Sequence, residues 1–169
     1  MDNIETILTR KSVRDFASKE VEKEKIDLLL KGAMASPSAM NRQPWKFVVV
    51  TNKEKIEEIK KAMPFGKHNA PLIIVPCIDE IAASLLNKGL AACDLAASSE
   101  NILLMAHSLS LGAVWCAIYP NKMQIKKMRK VLGLSPTLSP FSCIYIGYPS
   151  DSDKSKVKDK FKEKNIIRI

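Results

Sequence analysis

The stretch Trp45 to Thr51 reads WKFVVVT, and Leu72 to Cys77 reads LIIVPC. Both are short and rich in β-branched residues, and neither alternates polar with apolar side chains, which indicates strands buried on both faces of a sheet. Between them, Lys53 to Met63 carries apolar residues at helical spacing and predicts an amphipathic helix. The fold is therefore expected to connect strands through helices.

Further elements continue this alternation in both directions along the chain. Helices are predicted around Ile4 to Leu8, over Val21 to Ala35 and over Lys122 to Leu132, and strands over Ala113 to Ile118 and over Ser142 to Tyr148. The second helix should end before Pro37, because a proline disfavours helical backbone in the residue ahead of it.

The longest helix is predicted from Ala82 to Leu111, where Ala, Leu and Ser dominate. Its pairs Ala91-Ala92 and Ala96-Ala97 place small side chains on more than one face, so we expect a helix buried nearly all round. A single small domain rarely wraps a helix of that length. We therefore expect a homodimer built around residues 87–111.

Length and composition are those of an ordinary globular protein. The chain has 169 residues, 46% hydrophobic and 27% charged, so we expect one domain over residues 1–169 and exclude a disordered or fibrous chain. No apolar stretch approaches the about 20 residues that span a bilayer, and the opening MDNIETILTR is acidic and polar. These features favour a cytoplasmic protein with no membrane contact.

The residues available for chemistry exclude several kinds of site. The four cysteines are far apart, and the two histidines are too few to make a metal centre or a hydrolase triad the expected site. The six glycines are widely separated, so no glycine-rich phosphate loop is present. No G-x-S-x-G or H-E-x-x-H motif occurs.

The net charge of +9 raises the question of nucleic-acid binding. Residues 1–61, 62–150 and 151–169 each carry a surplus of three positive charges, so no segment is a basic domain. This even spread argues against nucleic acid as a partner. It leaves an anionic small ligand or an ordinary solvated surface.

Two segments could bind such a ligand. Arg10 to Arg14 places two guanidinium groups, an ammonium and a hydroxyl within five residues, as a phosphate site would, although basic runs at helix ends are also common. The loop Ser36 to Trp45 contains two prolines that stiffen it, and serine, asparagine and glutamine side chains that could face a flat heteroaromatic ligand. An ordinary connection between a helix and a strand would look the same, and spacing alone does not separate the two.

The last twenty residues, SDSDKSKVKDKFKEKNIIRI, are too charged to form a core but end in three isoleucines. We expect the extension 151–169 to cross a surface and dock on the partner subunit, as an edge strand in one arrangement.

Three motifs together resemble the FMN-dependent nitroreductase family. They are RKSVRDF from Arg10 to Phe16, SPSAMNRQPWKFVVV from Ser36 to Val50, and DLAASSENILLMAHSLSLGAVW from Asp94 to Trp115. GYP at Gly147 to Pro149 and VKDKF at Val157 to Phe161 extend the similarity over nearly the whole chain. The resemblance implies an α+β fold with a mixed, mainly antiparallel sheet flanked by helices, and an intertwined homodimer with FMN at its interface, one per subunit.

The resemblance also implies roles for individual residues. Those matching the family's cofactor-binding positions are Arg10, Lys11, Ser12, Arg14, Pro37, Ser38, Ala39, Met40, Asn41, Gln43, Asn69, Trp115, Cys116, Ala117, Ile118, Lys158 and Lys160. The N-terminal group and the two lysines would hold the phosphate and ribityl chain, with Arg14 near the N1/O2 edge of the flavin. Residues 37–43 of the other subunit would face the ring, together with Asn69 and the backbone of 115–118.

The activity implied is transfer of hydride from NAD(P)H to nitroaromatic, quinone or similar electron-poor acceptors by a ping-pong mechanism. The flavin would carry the chemistry, so no catalytic side chain is assigned. Residues 79–88 leave little room for the helical insertion of larger relatives, and CAIYP after Trp115 departs from their pattern, which implies an open, shallow pocket. The alternatives are a flavin-binding protein for storage, sensing or flavin modification and, less favoured, a basic nucleic-acid module.

Overall fold

The computed structural model describes residues 2–84 and 88–169. Within these ranges the chain forms α1 Asn3–Thr9, α2 Lys23–Met34, β1 Trp45–Val50, α3 Lys53–Ala62, β2 Leu72–Asp79, α4 Lys88–Ser108, β3 Gly112–Ala117, α5 Lys122–Leu132, β4 Leu138–Pro140 and β5 Ser142–Gly147. Short 3-10 turns lie at Ala39–Asn41 and Glu163–Asn165.

The strands form one sheet in the order β1-β2-β5-β3, and β4 pairs with β2. All four pairings between these strands are antiparallel, with Ile74 opposite Ile144 at the centre. Parallel pairing occurs in the described ranges only as an isolated bridge between Ser12 and Ala113. The α+β class with a mainly antiparallel sheet is therefore confirmed.

Helices cover both faces of the sheet, because successive side chains of a strand point to opposite sides. On β5, Tyr145 packs with Ile59 of α3 and Met128 of α5. Its neighbour Ile144 packs on the opposite face with Leu29 of α2 and Ile102 of α4. The runs LIIVPC and CIYIG are apolar throughout because both of their faces are covered. The expectation of a strand buried on both faces is wrong for β1, an edge strand in which Lys46 and Val49 are exposed.

Caps mark the bounds of the two amphipathic helices α3 and α5, which lie close to the predicted ranges. The side chain of Asn52 accepts a hydrogen bond from the Lys55 amide at 2.8 Å, and Asn121 accepts one from Gln124 at 3.0 Å. Gly133 ends α5 with a left-handed backbone at φ 63°.

The long helix is shorter than predicted at both ends. Residues 82–84 lie in a turn after β2, where the Asp79 carboxylate accepts hydrogen bonds from the amides of Ile81 and Ala82 at 3.1 and 3.2 Å. Residues 85–87 lie outside the described ranges, and the helix ends at Ser108. The strand β4 was not predicted, because three residues that include a proline carry little pattern.

The single chain leaves part of this helix exposed, so burial nearly all round, with a partner chain covering one side, stays a prediction for the dimer. Leu95, Ile102 and Ala106 are buried against the sheet, but Leu90 and Cys93 are exposed.

None of the helices in the described ranges is both long and apolar enough to cross a bilayer.

The tail after β5 runs across its own chain before reaching its exposed end. The Ser150 amide donates to the backbone carbonyl of Asp15 at 3.1 Å, and the Lys11 ammonium donates to the Ser155 carbonyl at 2.8 Å. Ile167 and Ile169 are exposed. The first half of the extension therefore docks in cis, and docking on a partner stays a prediction for its apolar end.

Candidate functional site

A strongly basic pocket of about 410 Å³ lies between the N-terminal segment and the tail. Seven cationic side chains and two serines line it: Arg10, Lys11, Ser12, Arg14, Lys154, Ser155, Lys156, Lys158 and Lys160. We call this the basic pocket. No acidic side chain is among its lining residues, so its chemistry is that of an anion site.

The sheet holds the N-terminal wall of the pocket in place. The Val13 amide donates to the Ala113 carbonyl at 3.1 Å, and the Val13 side chain is buried in the core. This approach is possible because Gly112 has no side chain, since a Cβ there would lie 2.6 Å from the Cβ of Val13. Because side chains alternate along an extended segment, burial of Val13 leaves Ser12 and Arg14 to line the pocket.

The helix α4 supports the start of the same wall. Arg10 Nε lies 2.9 Å from a carboxylate oxygen of Glu100, and the Thr9 hydroxyl lies 2.8 Å from His107 Nε2. Burial lowers the pKa of His107, and the nearby charges of Arg10 and Lys11 lower it further. Both contacts fix where the basic segment leaves α1.

Lys11 and Arg14 differ in how much of their charge is free. The Lys11 ammonium donates to the Ser155 carbonyl and lies 3.7 Å from the carboxylate of Asp153. Arg14 donates only to the Ser12 carbonyl, at 3.3 Å, and no ion pair joins it to a carboxylate of the described residues. Arg14 is therefore the less neutralised cation of the N-terminal wall.

The loop Ser36 to Gln43 is a second preorganised element. Met40, Asn41 and Gln43 have left-handed backbones with φ of 53°, 52° and 50°, which costs free energy in residues other than glycine. The Ser38 hydroxyl accepts a hydrogen bond from the Gln43 amide at 3.0 Å, which closes the turn.

Two side chains of α4 hold this loop in place by hydrogen bonds. Asp94, which is buried, accepts a hydrogen bond from the Ala39 amide at 2.9 Å. The side-chain amide of Asn101 donates to the Ser36 hydroxyl at 2.8 Å and to the Gly32 carbonyl at 3.0 Å. The loop thus projects Met40 and its neighbours outward from a rigid base.

The end of β3 and the segment before β2 complete the set of predicted residues. Trp115 packs against Phe141 on the α2/α4 face, with ring centroids 5.6 Å apart. Cys116 points to the other face, where burial raises the pKa of its thiol. Asn69 accepts from the Phe16 amide at 3.2 Å and donates to the Phe16 carbonyl at 2.9 Å, and a hydrogen bond from its side chain helps to lower the pKa of Asp15, so its polar groups already bind the N-terminal segment.

The chain brings part of the predicted site together. Six of the predicted residues, Arg10, Lys11, Ser12, Arg14, Lys158 and Lys160, line the basic pocket. The loop residues Pro37, Ser38, Ala39, Met40, Asn41 and Gln43, together with Asn69 and Trp115, Cys116, Ala117 and Ile118, are not among its lining residues in the single chain. Ile118 is buried in the core, and its backbone amide and carbonyl are already hydrogen-bonded to Phe141 and Asn121.

The donor set of the pocket fits the phosphate end of FMN. A phosphate monoester carries a charge of about −2 and three acceptor oxygens, which guanidinium, ammonium and hydroxyl groups match. The pocket contains all three kinds of donor without a glycine-rich loop.

Comparison with known proteins places the chain in a family. The nitroreductase family model matches residues 7–64. A curated protein of Methanothermobacter thermautotrophicus, named "Putative NADH dehydrogenase/NAD(P)H nitroreductase", is 40% identical over 154 residues, which cover 90% of this chain and 80% of the relative. The chain belongs to the nitroreductase family.

Solved structures of nitroreductase relatives share the whole fold. A Bacteroides thetaiotaomicron protein of the same name is 37% identical, with a TM-score of 0.90 over 99% of this chain and 98% of that one. The crystal structure of a Desulfovibrio desulfuricans protein in complex with FMN is 25% identical, with a TM-score of 0.82 over 99% and 96% of the two chains.

Several residues that line or support the basic pocket were not predicted from the sequence. Lys154, Ser155 and Lys156 line it, and the alternation of lysine in DKSKVKDK was a usable signal, because an extended segment places every second side chain on one side. Glu100 and Asp15 carried no such signal, since each contacts a partner that is far away in sequence.

Proposed function

We propose that the chain is an FMN-dependent oxidoreductase that takes hydride from NAD(P)H and reduces nitroaromatic, quinone or similar electron-poor acceptors. The basic pocket carries the proposal, because seven cations and two hydroxyl groups converge on one site in a member of the nitroreductase family. The FMN complex of the Desulfovibrio relative supports the choice of cofactor.

The phosphate of FMN would be held by Arg10, Lys11, Ser12, Lys158 and Lys160. Glu100 would keep the guanidinium of Arg10 in position for it. Lys11 would reach it by exchanging or sharing its contacts with the tail.

Arg14 would lie at the N1/O2 edge of the ring, where its uncompensated charge favours negative charge on the cofactor. Bound FMN would supply the hydride-accepting chemistry, so the chain needs no catalytic acid or base. The basic pocket would also attract the anionic pyrophosphate of NAD(P)H to the same region. Donor and acceptor would use one face in turn, which is a ping-pong scheme.

The loop 37–43 would reach the ring from the other subunit of a homodimer. Three surfaces of the single chain support such a dimer. The strand β1 is an edge strand, α4 exposes Leu90, and the tail exposes Ile167 and Ile169. We propose that the partner covers the exposed side of α4 and that each tail end docks on the other subunit.

Anaerobic reduction of the purified protein tests the proposed activity. We expect yellow protein whose absorbance at about 450 nm is bleached by NADH or NADPH and returns when a nitroaromatic or quinone is added. Protein that stays yellow with both nucleotides and turns over no acceptor would instead be a flavin-binding protein without reductase activity. The two nucleotides, measured separately, give the cosubstrate preference.

A further inference from the structure

We propose that Asp15 is a positioning residue of the basic pocket: it fastens the C-terminal tail, and with it the pocket's lysines, to the N-terminal segment. Asp15 does not line the pocket. The inference rests on the proposed function, because FMN is the ligand whose retention it would control.

The tail is attached to the chain beside Asp15. The Ala17 amide donates to the Tyr148 carbonyl at 2.8 Å, and the Ser150 amide donates to the Asp15 carbonyl at 3.1 Å. The Ser152 hydroxyl then donates to the carboxylate of Asp15. The hydrogen bonds from Ser152 and Ser150 lower the pKa of Asp15, so the carboxylate is charged at neutral pH.

A second attachment follows three residues later. The Lys11 ammonium contacts the Ser155 carbonyl and the carboxylate of Asp153, whose side chain is only 6% exposed. Beyond this point, no hydrogen bond or ion pair of the described residues joins residues 156–160 to residues 2–150. The position of Lys156, Lys158 and Lys160 is therefore set by the two attachments that precede them.

Electrostatics makes these attachments necessary. Seven like charges around one pocket repel each other, and this repulsion favours release of the tail when no anion is bound. A bound phosphate is an anion that attracts all of these cations, so the electrostatic interaction then favours docking of the tail. Ligand binding and tail docking therefore stabilise each other. Loss of the attachment at Asp15 must weaken ligand binding by the same coupling free energy.

The direction of the change in FMN affinity distinguishes a positioning role of Asp15 from a purely electrostatic one. Asp15→Ala removes a negative charge near an anion site, which by Coulomb attraction alone would tighten FMN binding. Loss of the tail attachment has the opposite effect, and we expect it to dominate, with FMN bound about tenfold more weakly. Ser152→Ala removes the same hydrogen bond without changing charge, and we expect about threefold weaker binding.

The experiment measures the FMN dissociation constant of the purified protein by fluorescence quenching. Asp27→Ala is the matched control, because within residues 2–84 and 88–169 the carboxylate it removes pairs only with Lys23 on α2, and it should leave the constant unchanged. Asp15→Ala is also combined with Lys158→Ala and Lys160→Ala. If Asp15 acts through these lysines, its effect shrinks once they are gone.

Trypsin cleavage after the tail lysines, without FMN, gives a readout independent of the ligand. We expect faster cleavage in Asp15→Ala and Ser152→Ala than in the wild type, while the thermal unfolding midpoint of the protein stays unchanged. If Asp15→Ala does not fold, Ser152→Ala decides alone. Binding in the variants as tight as or tighter than in the wild type, full additivity with the lysine pair, or unchanged cleavage would overturn the positioning role. A wild type that binds no FMN would overturn the proposed function as well.

Discussion

Arg14 stands out among the three cations of the N-terminal wall because Arg10 pairs with Glu100 and Lys11 with Asp153, whereas no carboxylate of the described residues pairs with Arg14. A free guanidinium beside a ligand can change both its affinity and the stability of charge that develops on it. Lys11, by contrast, already holds the tail. The two residues should therefore give different phenotypes.

Arg14→Ala should bind FMN about tenfold more weakly and accept hydride from NAD(P)H more slowly, while the oligomeric state is kept. Flavin titration and anaerobic stopped-flow measure the two effects. Lys126→Ala removes one exposed cation from α5, outside the lining of the pocket, and is the control. Wild-type affinity and rate in Arg14→Ala would remove this residue from the site.

Glu22 gives a pH-dependent prediction outside the pocket. Its carboxylate accepts a hydrogen bond from the Tyr148 hydroxyl, whose oxygen lies 2.8 and 2.7 Å from the two carboxylate oxygens, and one of these oxygens lies 3.3 Å from the Lys19 ammonium. These contacts lower the pKa of Glu22 to about 2. A depressed pKa stabilises the fold at high pH, and the contribution is lost as pH falls from the ordinary value of 4.5 toward about 2.

Glu22→Gln should therefore lower the thermal unfolding midpoint at about pH 7, with a gap to the wild type that shrinks as pH falls below about 4.5. Differential scanning calorimetry across this range measures the gap. Asp27→Asn on α2, the helix that follows Glu22, is the control, because among the described residues the carboxylate it removes is ion-paired only with the exposed Lys23. A gap that stays constant with pH would show that the ion pairing of Glu22 contributes nothing to stability.

At the scale of elements, the contact of the N-terminal segment with β3 depends on one glycine. Gly112→Ala would place a Cβ 2.6 Å from that of Val13, and the segment carrying Ser12 and Arg14 would have to move. We expect a loss of about 1–3 kcal/mol in the free energy of unfolding and weaker FMN binding.

The same substitution at Gly32 should have the opposite sign. Gly32 lies inside α2, and an added Cβ would meet chiefly the flexible end of Met105 at 3.1 Å. Alanine is favoured over glycine inside a helix by about 0.5–1 kcal/mol, so Gly32→Ala should be neutral or stabilising. Chemical denaturation of the two variants measures both values. Equal effects would contradict the close approach of Val13 to β3.

The tail as an element is tested by charge and salt. Replacing Lys158 and Lys160 together by alanine should weaken FMN binding by about tenfold at low ionic strength, with a smaller difference at about 0.5 M salt, because ions screen exposed charges. Lys126 and Lys127, both exposed on α5, provide the matched double variant. A difference that does not depend on salt would mean that these lysines do not act through their charge.

The elements that were predictable are those whose signal is local. The helices α2, α3 and α5 follow from apolar periodicity, with a proline stop after α2, and β1, β2 and β5 from short apolar runs. The contacts that build the pocket join residues far apart in sequence, such as Arg10 with Glu100 and Lys11 with Ser155. No local pattern encodes such pairs, so the basic segment and the tail were predicted separately and their junction was not.

On the scale of the whole molecule, one chain provides a cationic pocket but leaves the loop 37–43 outside its lining. The exposed face of α4, the free edge of β1 and the apolar end of the tail are three surfaces that a second copy would cover. We expect the complete cofactor site to exist only in the dimer, with one FMN for each basic pocket.

Titration of the purified protein, stripped of cofactor, with FMN is the decisive measurement. We expect saturable quenching of flavin fluorescence with one FMN per chain, which weakens as salt rises because the phosphate is held by lysine and arginine. Riboflavin, which lacks the phosphate, should bind much more weakly. FMN that stays fully fluorescent in the presence of excess protein, or riboflavin that binds as tightly as FMN, would contradict a phosphate grip formed by the N-terminal segment and the tail.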